Sequence, residues 1–207
     1  MISETATLLL FGLNQYLHAR EGNVVGSADI AVPGSPAQID GGNGTSGLDN
    51  KILLTLLNVE EEGALKNGPT AFVESGGVVV RNRPVHLNLF LVFSANFSNY
   101  GTALTRIGQV AAFFQSQRRF DPGLYPGALP ALAPGTELKV TLELVTVSLE
   151  ETSFIWGALG GKGLPFLAYR ARLVGLSEDR PARGGGEILD IPLHLHDTQA
   201  SLAREGG

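Results

Sequence analysis

Val85-His86-Leu87-Asn88-Leu89-Phe90-Leu91-Val92-Phe93-Ser94-Ala95 is the stretch that decides the fold. In an extended chain Val85, Leu87, Leu89, Leu91 and Phe93 fall on one side, and His86, Asn88, Phe90, Val92 and Ser94 on the other. A helix would scatter these residues around its circumference, so the period of two predicts a strand, entered through Pro84, with one wholly apolar face. Upstream, Ile52, Leu53, Leu54, Leu56, Leu57 and Val59 form a near-continuous apolar run that suits a strand buried on both faces. Glu60, Glu61 and Glu62 close that run, which predicts an acidic rim at the edge of a sheet.

Downstream, Ser98 or Asn99 can cap a helix whose stripe is Leu104, Ile107, Val110, Ala111 and Phe114, with Arg118 and Arg119 complementing the dipole at its end. Leu138, Val140, Leu142 and Leu144 alternate with Lys139, Thr141, Glu143 and Val145, giving a strand with a half-exposed face. Ser148 and Glu151 have capping-box spacing, so a short helix follows, burying some of Leu149, Ile155, Trp156 and Leu159 before Gly160 and Gly161 stop it. Phe166 to Leu176 reads as a last core strand. At the start of the chain Ile2, Ala6, Leu9, Leu10, Leu13, Tyr16 and Leu17 repeat at helical spacing, with Ser3 as the expected cap and Gly22 as the stop. Val24 to Val32 reads as a short strand, 33–50 as an exposed loop, and 121–135 as a proline-rich surface excursion.

The order of elements lacks regular strand–helix–strand alternation and any fixed repeat. It predicts an α+β domain: a largely antiparallel or mixed sheet of four to six strands with amphipathic helices packed against it. The expected division is a domain over 1–176 and, from 177 to 207, a flexible glycine-rich linker with an interaction arm near Glu187 to His196.

Composition narrows the function. With 20 acidic against 15 basic side chains the chain carries a net charge of −5, which argues against nucleic acid as a partner. The absence of cysteine removes disulfides, thiolate metal sites and cysteine nucleophiles. No apolar run is long enough to insert in a membrane, and Glu4 ahead of the apolar Thr7 to Leu13 argues for a cytoplasmic start over a signal peptide. Neither a catalytic residue nor a cofactor is expected, for three reasons. Gly157-Ala158-Leu159-Gly160-Gly161-Lys162-Gly163 resembles a phosphate loop but lacks one spacer residue and the magnesium-binding hydroxyl, so a glycine stop is favoured. His194 and His196, with Asp197, would share one side of an extended segment, yet two histidines make a weak metal site. Glu60, Glu61 and Glu62 do not converge on one point in a strand; they and Lys66 are expected to form a polar interaction rim.

Five segments in order carry a family resemblance. They are Asn58-Val59-Glu60-Glu61-Glu62 through Lys66-Asn67, then Arg83 to Ala95, Ala112-Phe113-Phe114-Gln115, Ile155-Trp156-Gly157-Ala158-Leu159-Gly160, and Pro165-Phe166-Leu167-Ala168-Tyr169-Arg170-Ala171-Arg172. Together they resemble the cap, or tube-terminator, proteins of extracellular phage-tail-like contractile injection systems, over residues 1–176. The resemblance implies a homo-oligomeric, hexameric ring that closes the distal end of an inner tube and touches the last sheath layer, assembled in the cytoplasm and without catalysis. Inner-tube protein and sheath protein are then the partners. Ile188, Ile191, Leu193 and Leu195 of the arm are expected to pair as an added strand on a sheath subunit. An adaptor or baseplate ring of the same kind of particle shares this logic, and a small metal-dependent hydrolase using His194 and His196 is the alternative of a different class.

Overall fold

The structure, a computed structural model, describes residues 1–22, 28–39, 47–63, 71–74, 77–81, 85–128, 138–161, 163–176 and 181–185. In chain order the elements are α1 (Ile2–Glu21), β1 (Ala31–Pro33), β2 (Lys51–Glu61), β3 (Ala71–Glu74), β4 (Gly77–Arg81), β5 (Val85–Asn96), α2 (Tyr100–Ser116), β6 (Arg119–Phe120), β7 (Lys139–Val145), α3 (Leu149–Ala158), β8 (Phe166–Leu176) and β9 (Pro181–Gly185). They fall into two compact units, one of residues 1–68 and 84–178, the other of 69–83 and 179–207.

The first unit is an α+β fold around a six-stranded mixed sheet in the order β1-β2-β5-β8-β7-β6. Every neighbouring pair is antiparallel except β1 and β2. β5 lies inside this sheet as its alternation requires. Leu89, Leu91 and Phe93 join the buried core with Leu87 packed against it, and Phe90 and Asn88 face the other way. β2 is covered on both faces only over Ile52 to Thr55; from Leu56 onward it is largely exposed, and beyond Leu54 it also lacks β1 along its outer edge. That corrects the expectation of a strand buried along its whole length.

α1 and α2 seal one face. Leu8, Leu9, Leu13 and Leu17 of α1 are fully buried, and the helix stops at Gly22, whose left-handed φ of 66° lets its amide reach the His18 carbonyl. Ser3 does not cap the helix: α1 begins one residue earlier, and the Ser3 hydroxyl donates to Glu4. Asn99 caps α2 by accepting from the Thr102 amide at 3.0 Å. The buried stripe of α2 is Ala103, Val110, Phe113 and Phe114, so Leu104 lies off it and is exposed. Arg118 and Arg119 follow the helix and lead into β6, not the last helical turn.

Aromatic rings fill the sealed face. Phe114 sits 4.9 Å from Phe93, 5.1 Å from Tyr169 and 5.8 Å from Phe120, with Phe113 5.0 Å away. Such pairs add to simple area burial. Burial there pushes the Tyr169 phenol up to about 12. Tyr125 extends the cluster, stacked on Phe120 and edge-on to Phe11, and it explains Gly12: a Cβ there would lie 2.8 Å from the Tyr125 ring.

Three further regions differ from expectation. The strand expected over Val24 to Val32 is Ala31–Pro33, with residues 23–27 outside the described ones. The loop after it holds a 3-10 turn at Pro36–Gln38 with its own capping box on Ser35, and Pro36 and Leu48 are buried. In the second unit β3, β4 and β9 form a three-stranded antiparallel sheet. The β3–β4 hairpin is absent from the sequence reading, and β9 lies within the segment read as linker.

Candidate functional site

The acidic rim is where the sequence places it, on the open end of β2. Glu60 and Glu61 are exposed, opposite Asn88 and Leu87 of β5. Asn58 donates its side-chain amide to Glu60 Oε1 at 3.2 Å, and Asn88 donates to Glu62 Oε2 at 2.9 Å. Glu60 and Glu62 thus each accept from a neutral amide, and alternate residues of the strand point to opposite faces. Glu60 and Glu61, being adjacent in the strand, point to opposite faces and do not share one reacting atom. Lys66 lies outside the described residues, as do Ile188, Ile191, Leu193 and Leu195, together with His194, His196 and Asp197.

The second face of the sheet is only partly covered. α3 lies on it through Trp156, which meets Phe166 edge-on at 5.3 Å, and Leu159 is buried beside them. Of the four residues from which the buried set was expected, Trp156 and Leu159 are buried, whereas Leu149 is 91% exposed; Phe154 is 69% exposed. The physical reason is length: ten residues give under three turns, and one side of so short a helix suffices to hold Trp156. Both halves of the capping box form, Glu151 N–H donating to Ser148 Oγ at 3.1 Å and Ser148 N–H to Glu151 Oε2 at 2.8 Å. The Ser148 amide and then its hydroxyl hold the Glu151 carboxyl below the usual carboxylate range. Toward β1 this face is apolar, with Leu53 and Val92 fully buried and Leu48 set against Gly34 and near Leu53; toward Arg172 it is polar. Arg170 stacks over Phe90 at 4.9 Å and Arg172 pairs with Glu143 at 3.4 Å, so both cations are engaged within the sheet.

A groove of about 290 Å³ between α3 and the sheet is lined by Leu57, Phe90, Val145, Phe154 and Ile155. Another of about 630 Å³ lies on the sealed side between α2 and β7, lined by Ala111, Ala112, Gln115, Arg118 and Leu144. The glycine stretch after α3 is a helix stop. Gly160 and Gly161 take φ of 92° and 80°, and the Gly161 amide is bonded to the Trp156 carbonyl at 2.7 Å, so it is turned back on the helix and not toward an anion. Among the described residues no three His, Asp or Glu side chains converge as a metal site. His18 stands in the last turn of α1, its ring nitrogens buried.

Asn14 escaped the sequence reading. Its buried side chain accepts from the Ile30 and Ala31 amides at 3.0 and 2.8 Å and donates to the Ala31 carbonyl at 2.8 Å, which ties β1 to α1. A polar residue inside an apolar helical stripe was the only signal. Arg106 likewise links the helices, paired with Glu21, bonded to Gln109 at 3.1 Å and lying 5.8 Å from the Phe97 ring centroid.

The family described as the Pvc16 N-terminal domain matches residues 4–189. Among solved structures, the anti-feeding prophage cap, described as the AFP tube terminating cap, aligns with a TM-score of 0.50 at 13% identity, covering 70% of this chain and 49% of that one. The sheath/tube terminator of the PVC extracellular contractile injection system, in its extended state, aligns with a TM-score of 0.47 at 15% identity, covering 95% of this chain and 66% of that one. The chain thus spans about half the length of the first and just under two thirds of the second, and the likeness is one of fold. No curated protein matches.

Proposed function

We propose that this chain, which belongs to the Pvc16 N-terminal domain family, is a structural cap of a contractile injection system, ending an inner tube and its sheath by assembly and not by catalysis. The observation that carries the reading is the family match over residues 4–189. The fold shared with a tube-terminating cap agrees with it. So does a site made of a presented acidic rim and an open sheet edge. The assembled form is a hexameric ring with one face complementary to the tube. Because its other face repeats no tube surface, the next tube ring has nothing to bind, and growth stops through geometry alone.

Within this reading the Glu60, Glu61 and Glu62 rim, with Lys66, supplies polar contacts, and Ile188, Ile191, Leu193 and Leu195 add a strand to a sheath subunit, the arm from 177 onward being separate from the 1–176 domain. The chain is built into a phage-tail-like particle in the cytoplasm, and the finished particle is either released or anchored. Among the described residues no helix is long and apolar enough to cross a membrane. The test is polymerisation of the inner-tube protein with and without this chain, followed by electron microscopy of tube ends. Capped tubes of arrested length are expected, and reversing the charges of Glu60 and Glu61 should loosen that arrest. Tubes that lengthen equally with and without the chain contradict the proposal. Deleting 177–207 should leave tube arrest intact and weaken sheath attachment; unchanged sheath attachment rules out the arm.

A further inference from the structure

Both edges of the six-stranded sheet are stepped, and the steps are at opposite ends. On one side β1 covers β2 only at Ile52, Leu53 and Leu54, so β2 itself is the outer line from Leu56 to Glu61 among the described residues. On the other side β6 covers β7 at Val140 and Thr141, so β7 is the outer line from Glu143 to Val145. Thr141 and Val140 share cross-strand rows with Glu60 and Glu61, through Arg172 with Asn88 and through Leu173 with Leu87. The projecting strand of one edge therefore stands level with the recess of the other.

Direction and chemistry fit as well. Three antiparallel pairings separate β2 from β7, so β6, antiparallel to β7, runs the same way as β2, as β1 does. One row across the sheet reads Glu60, Asn88, Arg172, Thr141, Arg119, with the acid at one edge and the base at the other. A second row reads Leu56, Leu91, Tyr169, Leu144, and its end residues are exposed by 41% and 62% on the same face. Arg118 and Arg119 are exposed beside β6, and no ion pair among the described residues involves them or Glu60.

We propose that a second copy of this chain docks edge to edge on the first, seating its β6 beside the open half of β2, with Arg118 and Arg119 against Glu60 and Glu61 and with Leu144 turned toward Leu56 across the seam. The two short strands, β1 of one copy and β6 of the next, then share one column between β2 and the neighbouring β7. An uncovered strand edge is a template for pairing, and its carboxylates select a basic complement. The contact joins two different surfaces, so each copy keeps one open edge and the series ends only by closing into a ring. This inference rests on the ring reading above and supplies the two patches that such a ring needs.

The chain contains no cysteine, which makes the contact open to direct trapping. Glu60→Cys combined with Arg119→Cys, in the full chain under mild oxidation, should give a ladder of covalent multimers ending in a closed ring. An equimolar mixture of the two single variants should stop at dimers. Charge reversal gives a second measurement: Glu60→Arg or Arg119→Glu alone should weaken self-association about tenfold, and the two together should restore it, which a misfolded variant would not do. Multimers by light scattering without cross-links in the double variant would overturn the edge pairing and leave the cap reading standing. A chain that stays monomeric both alone and on tubes overturns it too. Cross-linked rings that fail to arrest tubes support the pairing and count against the cap.

Discussion

The two faces of the six-stranded sheet are made by the same strands and have opposite fates. On the side of α1 and α2, Leu89, Leu91, Phe93, Leu142 and Tyr169 disappear beneath two long helices and a chain of aromatic rings. On the other side Phe90 lies under Arg170 and Arg172 pairs with Glu143, while α3 and the segment around Gly34 and Leu48 cover only the part that holds Leu53 and Val92. Alternation along each strand lets one face carry the aromatic core while the other is apolar and buried at one end and polar at the other.

The sharpest way to break this contrast is on the sealed side. Phe93→Ala removes a fully buried ring that touches both Phe114 and Tyr169 and should cost about 3–5 kcal/mol, read by chemical denaturation. A loss under about 1 kcal/mol would mean that this face is not the stabilising one. Next comes Asn14→Ala, which leaves the Ile30 and Ala31 amides buried without their acceptor and should cost about 2–3 kcal/mol, with hydrogen exchange rising first at β1. The smallest effect belongs to the open face. Ser148→Ala breaks the capping box and should cost about 1 kcal/mol, loosening α3 and leaving the core intact. Acid should act at the same place. The carboxyl of Glu151 is depressed in the folded state, so its contribution is complete above the ordinary carboxylate pKa and fades as pH falls through the folded value. Trp156, the only tryptophan, reports this: its fluorescence should shift on acidification before the global transition, and Ser148→Ala should remove that early step.

Where local pattern carried the information, the sequence was enough. The period of two in β5, the helical stripe ended by Gly22, the Ser148 to Glu151 box and the stop at Gly160 and Gly161 are all decided by neighbours within a few residues. Long-range pairing is a different matter. The open outer edge of β2 beyond Leu54 depends on where β1 ends, more than twenty residues earlier, and the role of Asn14 depends on amides sixteen and seventeen residues away. β3 and β4 are four and five residues long, too short for a period to stand out. The acidic rim was legible as composition, but the basic pair level with it at the opposite edge was not. Glu60 and Arg119 fall in one row only because four separate strand pairings put them there.

The central claim is that the molecule works by closing one end of a cylinder. Electron microscopy of intact particles carrying a gold-labelled copy of this chain tests it most directly. Label confined to the end of the tube distal to the baseplate is the predicted result. Label at the baseplate, along the sheath, or absent from particles of normal length would contradict the account.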